Sequence, residues 1–219
     1  DMENKVWLND QWLADSLSAY LLGLGGLEGV KLITCFLFLL TFVIFPGYIF
    51  KKTSSNFYLS FFFVIFAKLS ASIQFFFRPF LFGFFFLAIL SFYLSEYYRL
   101  LIGKEPIVLP KKFLDLAIIR FLLIPLVFAF WVNCHPTFLL GLLILGLFSF
   151  LLLCFGRFSI SLFLFFILSF LATLLNPFGL DLYLQIFELL GSTFFTNLNQ
   201  EWKNLPFNLD SFCSIFIVA

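Results

Sequence analysis

Residues 138–155 read FLLGLLILGLFSFLLLCF, and two glycines and one serine are the only residues among them that are not hydrophobic. An α-helix of this length extends about 27 Å, close to the roughly 30 Å hydrocarbon core of a bilayer. A lone strand cannot satisfy its backbone hydrogen bonds in lipid, whereas a helix can. The stretch therefore predicts a transmembrane helix.

Five other segments have the same character. The chain has 219 residues, of which 63% are hydrophobic and 11% are charged, whereas roughly 25% are charged in soluble domains. A soluble chain of this size cannot bury so much apolar surface, so the excess is expected to face lipid. We predict an all-α, polytopic transmembrane helix bundle with about six complete spans. They lie at about 32–50, 57–76, 80–98, 113–132, 138–155 and 159–175.

Basic residues distinguish the two sides of the membrane. Seven lie in the connections after the first, third and fifth spans, and the opposite connections hold four. The positive-inside rule places the first set in the cytoplasm. The extracytoplasmic side then holds segments 1–26 and 176–209, each with a predicted interfacial amphipathic helix, at 12–24 and 180–190. The seven basic residues are Lys51, Lys52, Arg99, Lys104, Lys111, Lys112 and Arg157.

The ends of the chain predict an internal piece of a longer protein. The sequence begins with Asp1 and stops at Ala219, inside an apolar run that starts near Asp210. We therefore expect one integral membrane domain, truncated at both ends, with residues 210–219 opening a further span. The net charge of +1 gives no case for nucleic-acid binding. The cysteines lack metal-ligand spacing, so neither a metal nor a cofactor is expected.

Polar side chains near the extracytoplasmic ends of the spans are the candidate site residues. Arg78 opens the third span, where an arginine either contacts lipid headgroups or holds a phosphate bidentately. His135 is the only histidine and lies beside Asn133 in the turn after the fourth span. It is either a structural residue or a site residue. Asn176 ends the sixth span, and Glu201 is either a solvated loop acid or part of the site.

Lys68 lies near the middle of the second span. A cation at that depth costs several kcal/mol unless it faces protein or water, so Lys68 is expected to face the bundle interior or a hydrated cavity. The alternative is a long side chain that reaches out to the membrane surface.

Several short motifs on the extracytoplasmic side occur in a recognisable order. Together they resemble the bacterial GT-C superfamily of membrane glycosyltransferases, near the protein mannosyltransferase and aminoarabinose transferase-like groups. The resemblance covers almost the whole chain. The motifs are WLNDQWL at 7–13, LGGL at 24–27, RPFLF at 78–82, WVNCH at 131–135, FLLG at 138–141, NPFG at 176–179 and EW at 201–202.

The resemblance implies a transferase of the bacterial inner membrane that moves a sugar from a polyprenyl-phosphate donor to an acceptor, at an extracytoplasmic site. It implies a catalytic carboxylate in the first outer loop, where Asp10 is the acid that this chain retains. The main acid of such proteins is expected upstream of residue 7, so this chain alone is expected to be inactive. Relatives often carry His-Glu where this chain has Asp10 and Gln11, and Gly where it has Pro136.

In this interpretation Asp10 is the candidate base, and the substrate-binding candidates are Arg78, His135, Lys68, Asn133, Asn176 and Glu201. Two other functions stay open. A transporter or lipid flippase would use intramembrane cations such as Lys68 and Arg120, although the sequence shows no internal repeat. A non-catalytic membrane protein is the other alternative.

Overall fold

The computed structural model describes residues 8–53, 58, 62, 78–102, 123–156 and 160–192. Every regular element in this part of the chain is helical, which confirms the predicted all-α class for these residues. A π-helical turn, Leu40–Ile44, joins the first two helices. The helices are α1 (Trp12–Leu39), α2 (Phe45–Thr53), α3 (Phe80–Ile102), α4 (residues 123–131), α5 (Phe138–Cys154), α6 (Ile160–Thr173) and α7 (Asp181–Gly191).

Helix α1 contains a break at Gly26, where φ is 56° and ψ is −155°. This region of backbone space is essentially restricted to glycine. The break follows the predicted amphipathic helix 12–24 by two residues and separates it from the long apolar helix that continues to Thr53. The π-helical turn lies just before Pro46, which has no N–H for the carbonyl four residues earlier, and the wider turn accommodates it.

Two stretches of the described residues are long and apolar enough to cross a membrane, Trp12–Lys52 and Phe80–Arg99. The apolar helices Phe138–Cys154 and Leu162–Thr173 are shorter. The predicted span at 57–76, apart from residues 58 and 62, lies outside the described residues, as does the first part of the span at 113–132.

Helix α5 is apolar on all sides. Its inner face packs into the main core through Phe138, Leu142 and Leu145, all buried. Its opposite face carries Leu143 and Leu147, which are 56% and 51% exposed. A helix that is hydrophobic all round is typical of a protein interior or a membrane span. Because one face of α5 points outward, its composition fits contact with lipid.

Helix direction alternates from α3 to α6, whereas α1 and α2 run parallel to α3. The Phe42 ring lies 5.6 Å from Phe84, and the Tyr48 ring lies 5.3 Å from Phe92. The contact later in α2 is made with a residue later in α3, so the continuous helix from α1 to α2 runs parallel to α3. Helix α6 runs antiparallel to α5, since it begins six positions after α5 ends at Cys154 and an ideal Cβ on Gly146, earlier in α5, would contact the ring of Phe166, later in α6.

The alternation brings the polar turns to one end of the bundle. Helices α3 and α5 begin there, and α4 and α6 end there. Residues 8–15, 78–83, 131–137 and 173–185 make up this region, which we call the polar end. Hydrogen bonds and ring contacts between these segments join them, as described below.

Candidate functional site

Asn133 joins three segments at the polar end. Its side-chain Oδ1 accepts a hydrogen bond from Trp12 Nε1 at 2.7 Å. Its Nδ2 donates to the carbonyl oxygens of Ala129, at 2.7 Å, and Leu175, at 3.2 Å. Its own backbone carbonyl accepts a bond from Leu13 N–H at 3.0 Å. A buried amide with these partners fixes the start of α1 and the ends of α4 and α6 relative to one another.

The N-terminal segment is also held by α7. Leu8 N–H donates to Gln185 Oε1 and Gln185 Nε2 donates back to the Leu8 carbonyl, both at 2.9 Å. This pairing satisfies both backbone groups of Leu8 with one side chain. It places the segment that carries Asp10 beside α7.

Asp10 has an acidic neighbour and a partly buried position. Burial raises its pKa above the ordinary value of 3.8, the Asp15 charge adds to that increase, and a backbone hydrogen bond opposes it. Asp15 accepts a hydrogen bond from Asn9 Nδ2 at 3.0 Å. A carboxylate with a raised pKa is a stronger proton acceptor than an ordinary aspartate, which is a property of general bases.

His135 lies in the turn between α4 and α5 and packs against the start of α3. Its ring meets the Phe80 ring edge to face, with centroids 5.0 Å apart. Its Nδ1 lies 3.1 Å from Thr137 Oγ1 and accepts a hydrogen bond from Thr137 N–H at 3.2 Å. Burial lowers the pKa of His135 to about 4, so the imidazole is neutral at ordinary pH.

Arg78 precedes α3 and is exposed. Its carbonyl accepts the Leu81 N–H at 2.9 Å, which starts the first turn, and Pro79 follows in a position that favours helix initiation. Because the Phe80 ring contacts His135, Arg78 begins its helix in the neighbourhood of that histidine. The polar end thus combines a carboxyl group, a guanidinium and a neutral imidazole.

Asn176 shapes the turn that leads from α6 to α7. Its Nδ2 donates to the carbonyls of Thr173, at 2.8 Å, and Gly179, at 3.1 Å, and its Oδ1 accepts the Phe178 N–H at 2.8 Å. The Thr173 and Tyr183 hydroxyl groups are hydrogen-bonded to each other and link the same two helices. The amide of Asn176 therefore stabilises the turn.

Of the seven predicted site residues, Asp10, Arg78, Asn133, His135 and Asn176 lie at the polar end. Lys68 and Glu201 lie outside the described residues. Gln185 and Thr137 were missed by sequence reasoning. Leu8, which forms both hydrogen bonds with Gln185, lies 177 positions away, so no local pattern identifies Gln185. Thr137 follows the His-Pro pair, and its closeness to the histidine was the available signal.

Comparison of the chain with models of known families, with characterised proteins and with solved structures finds no match. The side chains at the polar end are therefore the basis for what this region can do chemically. It combines a proton acceptor, Asp10, with a fixed positive charge, Arg78, and an uncharged imidazole, His135. These groups suit a reaction in which a hydroxyl loses a proton and an anionic group leaves.

Proposed function

We propose that this chain is part of a membrane glycosyltransferase of the GT-C type, which transfers a sugar from a polyprenyl-phosphate donor to an acceptor at the extracytoplasmic face of the bacterial inner membrane. The observation that carries the proposal is the convergence of Asp10, Arg78 and His135, from three separate segments, at one end of an apolar bundle. A lipid-linked donor needs such a place, where apolar helices contact its chain and polar groups meet its phosphate.

The proposed topology has six spans with the polar end outside. The parallel packing of the first and third predicted spans is the arrangement expected if one span separates them. The exposed apolar side of α5 supports contact with lipid. Lys51 and Lys52 lie in the last turn of α2, and Arg99 lies in the last turn of α3, away from the polar end. That distribution fits a cytoplasmic position for these basic ends.

The proposed reaction is a displacement at the anomeric carbon. Asp10, or an acid upstream of this chain, accepts the proton of the acceptor hydroxyl. The hydroxyl oxygen forms a bond to the anomeric carbon while the bond from that carbon to the phosphate oxygen breaks, and the electron pair leaves with the phosphate. Arg78 and His135 stabilise the growing negative charge, with Lys68 and Glu201 as further contacts for the substrates. Asn133 and Asn176 hold the turns around them.

The test is sugar transfer by the full-length parent protein in membranes, with Arg78→Ala and His135→Ala as variants. Both variants should abolish transfer while the amount of folded protein stays the same. Arg99→Ala is the matched control, because Arg99 pairs with Glu96 at 2.8 Å at the other end of α3, and it should transfer normally. Full transfer by both variants would refute the assignment. Substrate uptake into liposomes without transfer would favour a transporter.

A further inference from the structure

The surroundings of His135 determine which of its ring nitrogens carries hydrogen. Thr137 N–H points at Nδ1, with a nitrogen–nitrogen distance of 3.2 Å. A backbone amide can only donate, so Nδ1 must present its lone pair to that group. The hydrogen of a neutral imidazole then resides on Nε2.

The Thr137 side chain supports the same assignment. Trp131 Nε1 donates to Thr137 Oγ1 at 3.0 Å, and an indole nitrogen is always a donor. Thr137 Oγ1 therefore accepts from the tryptophan, and its own hydrogen is available for His135 Nδ1, 3.1 Å away. The indole hydrogen is thus directed at Thr137 Oγ1 and the hydroxyl hydrogen at His135 Nδ1, whose lone pair also accepts the Thr137 N–H.

Tight packing keeps this chain of bonds in place. An ideal Cβ on Gly83 would lie 2.3 Å from Thr137 Oγ1 and 3.5 Å from His135 Nδ1. An ideal Cβ on Gly141 would lie 2.4 Å from the Trp131 ring. The two glycines let α3 and α5 approach the hydroxyl and the indole closely, so neither group has space to turn away.

The second ring nitrogen of His135, Nε2, takes no part in these bonds. Among the described residues, His135 Nε2 makes no hydrogen bond, and the side chain is only partly buried. Burial also lowers the pKa of His135 to about 4, which keeps the ring uncharged at neutral pH. A neutral ring with a fixed Nε2–H is a hydrogen-bond donor and has no basic nitrogen on that side.

We propose that His135 binds an anionic phosphate oxygen as a neutral Nε2–H donor, and that Thr137 and Trp131 are positioning residues that fix this tautomer. The inference rests on the proposed function for its ligand class, an isoprenyl phosphate. It excludes His135 as the general base of the reaction, because the basic Nδ1 lone pair faces the protein. The positive charge that stabilises the leaving phosphate then comes from Arg78.

The single histidine makes the tautomer directly measurable. The full chain, labelled with ¹⁵N only in histidine and held in detergent micelles, gives one pair of imidazole resonances at neutral pH. The nitrogen that bears hydrogen and the one that bears a lone pair resonate far apart. Couplings to the two carbon-bound ring hydrogens then assign each resonance, because Nε2 lies two bonds from both hydrogens and Nδ1 two bonds from only one. We expect Nε2–H. An Nδ1–H form or a doubly protonated ring would overturn the proposal.

Binding is measured on the same sample with farnesyl monophosphate as the probe and farnesol as the control without phosphate. The Nε2 resonance should shift with the phosphate and stay fixed with the alcohol. Thr137→Val should weaken the apparent affinity for the phosphate about five- to tenfold, whereas Thr137→Ser, which keeps the hydroxyl, should stay within about twofold. If the Nε2 resonance of the wild-type chain does not shift when farnesyl monophosphate is added, the donor role of His135 is wrong. This outcome is decisive even if Thr137→Val does not fold.

The two proposals fail in different ways. If the parent protein transfers sugar but His135 is an Nδ1–H tautomer, the present inference is wrong and the transferase function stands. If the tautomer and the phosphate response are as expected while the parent transfers no sugar, the transferase function is wrong and the phosphate site stands.

Discussion

Replacing Asn133 with leucine tests whether its amide holds the polar end together. Leucine has the same number of side-chain heavy atoms and branches at the same carbon, and Asn133 is only 6% exposed, so the change removes hydrogen bonds while a side chain of similar outline stays in place. Three side-chain bonds are lost, one from Trp12 and two to the carbonyls of Ala129 and Leu175. The bond from Leu13 N–H to the Asn133 carbonyl is unaffected, since it uses the backbone.

The expected cost follows from these bonds. A hydrogen bond contributes about 1 kcal/mol net in soluble proteins and about 0.6 kcal/mol between membrane helices. Three of them predict that Asn133→Leu lowers the free energy of unfolding by about 2–3 kcal/mol. Trp12→Phe removes the indole N–H together with part of the ring, so it should cost about 1 kcal/mol for the lost bond in addition to the lost ring contacts. Because both variants lose the same bond, the double variant should cost about 1 kcal/mol less than the sum.

The assay is reversible unfolding of the full chain in mixed micelles, followed by far-ultraviolet circular dichroism during titration with a denaturing detergent. Tyr20→Phe is the control, because the Tyr20 side chain is 64% exposed on α1 and makes no hydrogen bond within the described residues. It should change the free energy of unfolding by less than about 0.5 kcal/mol. If Asn133→Leu costs no more than Tyr20→Phe, or if its cost and that of Trp12→Phe simply add, the reasoning is refuted.

Three further predictions concern backbone space and pH. Gly83→Ala should destabilise by about 1–3 kcal/mol, because an ideal Cβ lies 2.3 Å from Thr137 Oγ1. Gly26→Ala should cost about 1–3 kcal/mol, because its φ of 56° is unfavourable for alanine even though no atom lies near the new Cβ. Gly25→Ala, which also has open space but no positive φ, should be neutral or stabilising. Thermal unfolding compares all three variants, and equal results for Gly25→Ala and Gly26→Ala would contradict the strain argument. The free energy of unfolding should fall by up to about 3 kcal/mol as the pH drops from 6.5 towards about 4, because His135 takes up a proton in the unfolded chain but not in the folded chain. Unfolding titrations across this pH range should show no such loss in the His135→Gln variant.

The positions of the helices were predictable because each helix follows from a continuous run of apolar residues in the sequence. Long apolar runs can satisfy their backbone only as helices in a membrane, and α3 and α5 begin at the first residues of the predicted spans 80–98 and 138–155. The end of the first amphipathic helix was also predictable, since paired glycines at 25 and 26 mark a break. The length of α3 was harder to predict, because the helix extends to Ile102, past the predicted end at residue 98 and through the charged Arg99.

The partners of the polar side chains could not be predicted. Trp12 and Asn133 lie 121 positions apart, and Leu8 and Gln185 lie 177 apart. Such pairs depend on which helices are neighbours and in which register they pack, and neither is encoded in a local pattern. The sequence identified Asn133 and His135 as polar groups at the end of a span. It could not show that the amide of one is used by the fold while the imidazole of the other keeps a free side.

This difference decides how loss of function should be interpreted at the polar end. The Nδ2 group of Asn133 donates to two carbonyls, and so does that of Asn176. A substrate oxygen could bind either group only by displacing a backbone carbonyl, which would then be left without its partner in a buried place. Loss of transfer in an Asn133 variant would therefore report on the fold. Loss in His135→Ala, with the free energy of unfolding unchanged at neutral pH, would report on the chemistry.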